Sequence, residues 1–196
     1  MSLLFEIEQS AIPDISGLTY MPDFITPEEE AILISNIDAQ SWLHDLKRRV
    51  QHYGYKYDYK ARAVMENSYL GELPEWIQPL CNTLYNEQVF SDVPDQVIVN
   101  EYLPGQGISP HIDCVPCFND TIASLSLGAG TMIQFTNHGE KQELYLQPRS
   151  LVVLSNKARY EWTHAIPARK SDMISGFKIE RERRISLTFR NVILKR

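Results

Sequence analysis

Val97–Asp113 reads VIVNEYLPGQGISPHID, and the rest of the chain is organised around it. The stretch ends on His111 and Asp113, two residues apart. In an extended chain, residues two apart project to the same face. An imidazole nitrogen and a carboxylate oxygen can then converge on one metal ion. A second imidazole would complete a set of two histidines and one carboxylate, leaving about three open positions on an octahedral non-haem iron(II). His164, in the segment RYEWTHAI, is the candidate for that second histidine. A lone His-x-Asp also fits an ordinary surface strand, so its meaning depends on what lies downstream.

Downstream, Arg183–Ile193 reads RRISLTFRNVI and alternates. Ile185, Leu187 and Phe189 fall on one face, and Arg184, Ser186, Thr188 and Arg190 on the other. Arginine at both ends of one strand face has two readings. One is a solvated edge strand; the other is a planar fork holding a small dicarboxylic acid in a bidentate manner. Taken together, His111-x-Asp113, His164 and Arg184-x5-Arg190 resemble the signature of the AlkB family of iron(II) and 2-oxoglutarate-dependent dioxygenases. Asn100-Glu101-Tyr102 is similar to that family's Asn-x-Tyr. The resemblance is dense from about Val97 onward and rests on the order and spacing of the motifs together.

The resemblance implies a role for each residue. His111, Asp113 and His164 would hold Fe(II). Arg184, helped by Asn100 and Tyr102, would hold the distal carboxylate of 2-oxoglutarate, and Arg190 would lie near its keto-acid end. Ser186 belongs to the same cosubstrate surface, at a position where many family members carry asparagine. With O2, such an enzyme couples decarboxylation of 2-oxoglutarate to hydroxylation of a C–H bond. An N-methyl group so attacked is lost as formaldehyde, whereas on an ordinary carbon the hydroxyl stays.

Length and composition are consistent with this. At 196 residues, with 43% hydrophobic and 22% charged, the chain can build one domain with a sizeable core. The expected architecture is α+β, mainly β: a double-stranded β-helix or jelly roll, with residues 1–95 supplying helical support and a lid and residues 96–196 the catalytic barrel. No apolar run approaches the roughly 20 residues that span a bilayer. The start, MSLLFEIEQS, lacks a basic signal-peptide region, and three cysteines do not suggest a secreted disulfide framework. A reducing cytosol is the expected setting, with the nucleus open, and a monomer is the expected state.

The expected strands include Ser16–Tyr20, Val97–Tyr102, Ile122–Leu127, Thr131–Thr136, Gln142–Leu146, Leu151–Leu154, Arg159–His164 and Arg184–Val192. Thr26-Pro27-Glu28-Glu29 predicts a capped helix start. Leu73, Ile77, Leu80 and Leu84 predict another helix, kinked or late-starting at Pro79.

A net charge of −6 argues against a generally basic nucleic-acid binder. The charge is uneven, however. Residues 1–45 carry nine acidic residues and no Lys or Arg, whereas Leu46–Arg62 carries Lys47, Arg48, Arg49, Lys56, Lys60 and Arg62 against Asp58 alone. Within it, Tyr53, Tyr55, Tyr57 and Tyr59 recur with a period of two, as in a β-ribbon. Those tyrosines either pack on the core or stack on bases beside phosphate-binding lysines. The resemblance favours the second, making Tyr53, Tyr55, Lys56, Tyr57 and Lys60 a substrate lid.

Cys114-Val115-Pro116-Cys117 directly follows Asp113 and fits either a redox pair or half of a zinc site, although only Cys81 remains to complete one. Val115 stands where repair members of the family commonly place an acidic base contact. PGQGISPHID, SLSLG, RSLVVLS and ARYEWTHAI resemble instead the branch that hydroxylates a modified uridine at the tRNA wobble position. RNA, and tRNA above all, is therefore the expected partner, ahead of DNA. Oxidative demethylation of alkylated bases, protein side-chain hydroxylation, a non-catalytic binding module and a zinc or manganese hydrolase are the rival readings. The last would have no use for Arg184.

Overall fold

A computed structural model of the chain describes residues 11–44 and 46–194; the MSLLFEIEQS start lies outside them. Two antiparallel sheets face each other. The larger has six strands in the order β1 (Leu18–Met21), β10 (Leu151–Leu154), β7 (Ile122–Gly128), β14 (Arg184–Arg190), β5 (Gln96–Tyr102) and β2 (Arg49–Tyr53). The smaller has four, in the order β6 (Ile108–His111), β11 (Thr163–Ile166), β8 (Thr131–Asn137) and β9 (Glu140–Leu146), so β6 is an edge strand. This is the expected jelly roll. The strand expected at Ser16–Tyr20 is present as β1, and with β2, from the stretch assigned to the lid, it finishes the two edges of the larger sheet.

β14 lies at the centre of the larger sheet, and its two faces do different work. Ile185, Leu187 and Phe189 are buried with Val97, Val99, Leu125 and Leu127 in one apolar cluster. Two helices cover that face: α1 (Pro27–Asp38) through Leu33 and Ile37, and α2 (Gln78–Asn86) through Cys81 and Leu84. Burying each such Leu or Ile is worth roughly 1.5–3 kcal/mol, so this layer anchors the sheet. The opposite face of β14 looks into the space between the sheets.

Local chemistry explains the helix starts. Thr26 caps α1, its hydroxyl accepting from the Glu29 N–H while the Glu29 carboxylate accepts from the Thr26 N–H, as the sequence predicts. α2 begins at Gln78, so Pro79 falls in the first turn, where its missing N–H costs nothing.

One strand expectation is corrected. Arg159–His164 is not a strand: a short helix, α3 (Asn156–Tyr160), runs through its first half, and β11 starts only at Thr163. Asn156 takes a φ of 45°, a left-handed turn that asparagine tolerates and that starts the helical turn. The chain read as extended at His111 is β6, which stops before Asp113, and an unforeseen addition is a hairpin of β12 (Ser171–Ile174) with β13 (Phe177–Glu180). β3 (Tyr55–Asp58) and β4 (Ala63–Tyr69) form a separate ribbon over one end of the barrel.

Candidate active site

Strand register brings the three metal candidates together. In the antiparallel pairing of β6 with β11, His111 lies directly opposite His164, and their ring centroids are 4.3 Å apart. Asp113 follows β6 by two residues, and its Oδ2 lies 3.4 Å from His164 Nε2. The ligand atoms of the three side chains all lie within 4.8 Å of one another, close enough to surround one ion. The His111 Nδ1 lies 2.8 Å from the Ser109 carbonyl oxygen; donating its proton there leaves Nε2 free to ligate.

Charge at the site is prepared for a cation. Burial pushes the Asp113 carboxyl up, but the Arg190 guanidinium and the two imidazoles outweigh it, holding the group well below the usual carboxylate range. Arg190 Nη2 donates to Asp113 Oδ1 at 2.6 Å. Burial pushes His164 down to about 4, so its imidazole is neutral at pH 7, the form in which histidine ligates.

Next to this set lies a buried cation whose donors are only partly used. Arg184 is 3% exposed, and its Nη2 donates to Ser126 Oγ at 2.8 Å, but Nε and Nη1 have no partner among the described residues. Register places Tyr102 opposite Arg184 and Asn100 opposite Ser186, and the guanidinium sits 5.4 Å from the centre of the Tyr102 ring. Two unused charged donors in a buried fork fit a carboxylate. Asn100 is held in turn: its Oδ1 accepts from Arg48 Nε at 2.8 Å.

His111, Asp113, His164, Arg190, Arg184, Ser186, Tyr102, Asn100 and Arg48 line one cavity of about 650 Å³ between the sheets, with Ile98, Ser124, Ile133, Leu154 and Thr188 among its walls. Residues 17–190 match the family described as the 2OG-Fe(II) oxygenase superfamily. The chain belongs to that superfamily. It is an oxygenase of the AlkB type, a class that requires Fe(II), 2-oxoglutarate and O2. An uncharacterized protein of Acanthamoeba polyphaga mimivirus, L905, is 38% identical, the match covering 98% of this chain and 92% of that one. An Arabidopsis thaliana protein named alkylated DNA repair protein ALKBH8 homolog is 39% identical over 91% of this chain and 59% of its own length. The Xenopus tropicalis protein named tRNA (carboxymethyluridine(34)-5-O)-methyltransferase alkbh8 is 38% identical, but the match spans only 26% of it. Of the solved structures, OsALKBH1 has a similar fold, with a TM-score of 0.65 at 16% identity, covering 89% of this chain and 96% of that one.

The lid residues are not together. Tyr57 lines the cavity, packing 5.7 Å from the Phe118 ring. Tyr53 does not; it joins the helix-covered cluster against Trp76 and donates to Gln51. Tyr55 packs against Tyr69, ring centres 5.0 Å apart and planes tilted by 48°, and lines a separate hollow. Lys56 and Lys60 are exposed outside the cavity lining. Two backbone features break the period of two. Gly54 turns the chain at a φ of 75°, and the β3–β4 register shifts between Tyr55 and Tyr57. The cavity mouth uses other residues of the same stretch: Lys47, Arg48, Tyr59 and Arg62. Their basic and aromatic character was visible in the sequence, but not their direction.

Cys114 and Cys117 form a disulfide, so the pair is not open as zinc ligands, and Cys81 is buried on the sheet-facing side of α2. The Arg62 carbonyl oxygen lies 3.3 Å from Cys114 Sγ and 3.6 Å from Cys117 Sγ, bringing the ribbon against the metal loop. Val115, between them, is exposed and does not line the cavity.

Proposed function

We propose that the enzyme oxidises a base in RNA, a modified uridine in tRNA foremost. The observation that carries this is the composition of the cavity mouth. Lys47, Arg48 and Arg62 stand there with Tyr57 and Tyr59, and among the described residues Asp113, paired with Arg190, is the one carboxylate of the lining. Cations beside aromatic faces suit a phosphate chain carrying a base that leaves its stack. The relatives' names and the motif resemblance support the tRNA branch, and the exposed Val115 gives no acidic contact for an alkylated base.

In this reading His111, Asp113 and His164 hold Fe(II), which supplies the oxidising chemistry with 2-oxoglutarate and O2. Arg184 binds the distal carboxylate of the cosubstrate, with Tyr102 against its guanidinium and Asn100 and Ser186 beside it. Arg190 keeps Asp113 ionised and lies toward the keto-acid end. The apolar walls exclude water from the reacting carbon. Nucleosides from tRNA treated with enzyme, Fe(II), ascorbate and 2-oxoglutarate should include a uridine derivative heavier by one oxygen. Efficient loss of methyl from 1-methyladenine or 3-methylcytosine in single-stranded DNA, with tRNA nucleosides unchanged, would overturn the RNA assignment and leave the cofactor site standing.

A further inference from the structure

Behind the metal loop lies a buried arginine that the reaction itself does not use. Arg159 is 2% exposed and sits in α3. Its Nη1 donates to the carbonyl oxygen of Asp113 at 2.9 Å, and its Nη2 reaches the carbonyls of Cys114 and Phe118 at 3.4 Å each. No carboxylate pairs with it in an ion pair among the described residues, and Nε has no partner. A buried cation with no carboxylate in ion-pair contact is costly, and a methionine or leucine would fill the same space without that cost. What an apolar side chain lacks is a planar fork that reaches several carbonyl oxygens at once.

We infer that Arg159 is a positioning residue for the metal site, fixing the Asp113 backbone from behind while its own helix sets where His164 begins. This rests on the reading of His111, Asp113 and His164 as the iron ligands. The geometry joins the two ligand-bearing segments through one side chain. α3 is tied to the body of the fold by the Ala158 N–H donating to the Ser16 carbonyl at 2.9 Å. It is closed by the Trp162 N–H donating to the Lys157 carbonyl at 3.2 Å, immediately before Thr163 and His164. The loop after Asp113 has other ties, through the Ile193 N–H to the Cys117 carbonyl and the Asn119 N–H to the Asn191 carbonyl. Both act at its far end; nearer to Asp113, the disulfide and the Arg62 carbonyl meet the loop at Cys114. Arg190 holds the Asp113 carboxylate and Arg159 holds its backbone carbonyl, so together they set the direction in which the side chain leaves the backbone. Groups that orient a ligand in this way typically govern metal affinity by about 10–100-fold.

Co(II) is the probe, titrated into the full chain under conditions where each variant is folded by circular dichroism. Wild type should bind one Co(II), and Asp113→Asn should abolish that binding; if it does not, the ligand reading fails and the inference with it. Given that result, Arg159→Met should raise the Co(II) Kd by about 10–100-fold and broaden the visible absorption of the bound ion as its geometry loosens. Arg159→Lys keeps the charge without the fork and should fall between, which maintains the test if the methionine variant does not fold. Millimolar guanidinium should partly restore affinity to Arg159→Ala. Arg149→Met, which removes an arginine bound to Asp23 and Glu30, should lower the melting temperature and leave the Co(II) Kd unchanged. A wild-type Kd and spectrum in folded Arg159→Met or Arg159→Lys would overturn the inference and make Arg159 a structural residue only.

Discussion

Replacing Arg184 by methionine should make the ligand-free protein more stable and nearly blind to 2-oxoglutarate. Burial lowers Arg184 to about 10 from 12.5. At roughly 1.4 kcal/mol per pKa unit, the charge costs the fold about 3 kcal/mol. The sign is fixed by the direction of the shift: at pH 7 the group is charged folded and unfolded, so the whole cost stands, and it is relieved only as pH climbs past 10. Against it stands the bond to Ser126 Oγ, worth about 1.5–3 kcal/mol for a charged donor. The difference leaves Arg184→Met more stable by about 1 kcal/mol, or roughly 2–4 °C for a chain of this size. Cosubstrate binding should move the other way, because two unpartnered charged donors are lost. At about 1.5–3 kcal/mol each, affinity should drop by about 100-fold or more. Calorimetric melting of the metal-free protein with and without 2-oxoglutarate, with titration of the metal-loaded protein, measures both quantities. A variant that melts well below wild type yet binds 2-oxoglutarate normally would refute the argument.

Three other outcomes are expected. Asp113→Asn should abolish Co(II) binding and also lower stability by about 3–5 kcal/mol in the metal-free protein, because Arg190 loses its buried partner; denaturant melts check it. Stability of the metal-free protein should fall on acidification from pH 6.5 toward 4, the window in which unfolded histidine takes up a proton that His164 refuses, and His164→Gln should flatten that slope. In RNA binding, Tyr57→Ala and Tyr59→Ala should each cost about 1–3 kcal/mol, and Arg62→Ala should flatten the salt dependence, whereas Lys56→Ala and Lys60→Ala should change little; filter binding across salt concentrations separates them.

The sequence was legible where one period governed one element. The alternation of Arg184 to Arg190 states both faces of β14, because each face is fully committed, one to the helix layer and one to the cavity. His111 and Asp113 were legible from their spacing and the motifs downstream, although Asp113 lies just past the end of β6. The ribbon was not, since its tyrosines share a period that Gly54 and a register shift then break. α3 was missed because five residues are too few to display a helical period. Arg159 and Arg48 owe their roles to carbonyl and amide oxygens far away in sequence, and no local pattern encodes such partners.

The placement of His111 on an edge strand has a consequence for how the molecule meets its neighbours. An edge strand offers unpaired backbone groups on which a second chain can add a strand, and such addition here would drag a metal ligand out of place. β6 is a poor template for this. It is only four residues long, its register against β11 is irregular, and Pro110, next to the ligand, contributes no N–H. Pro110→Val would therefore be expected to reduce solubility at high protein concentration before it altered turnover, because the strand that carries the histidine would have become one on which other chains can nucleate.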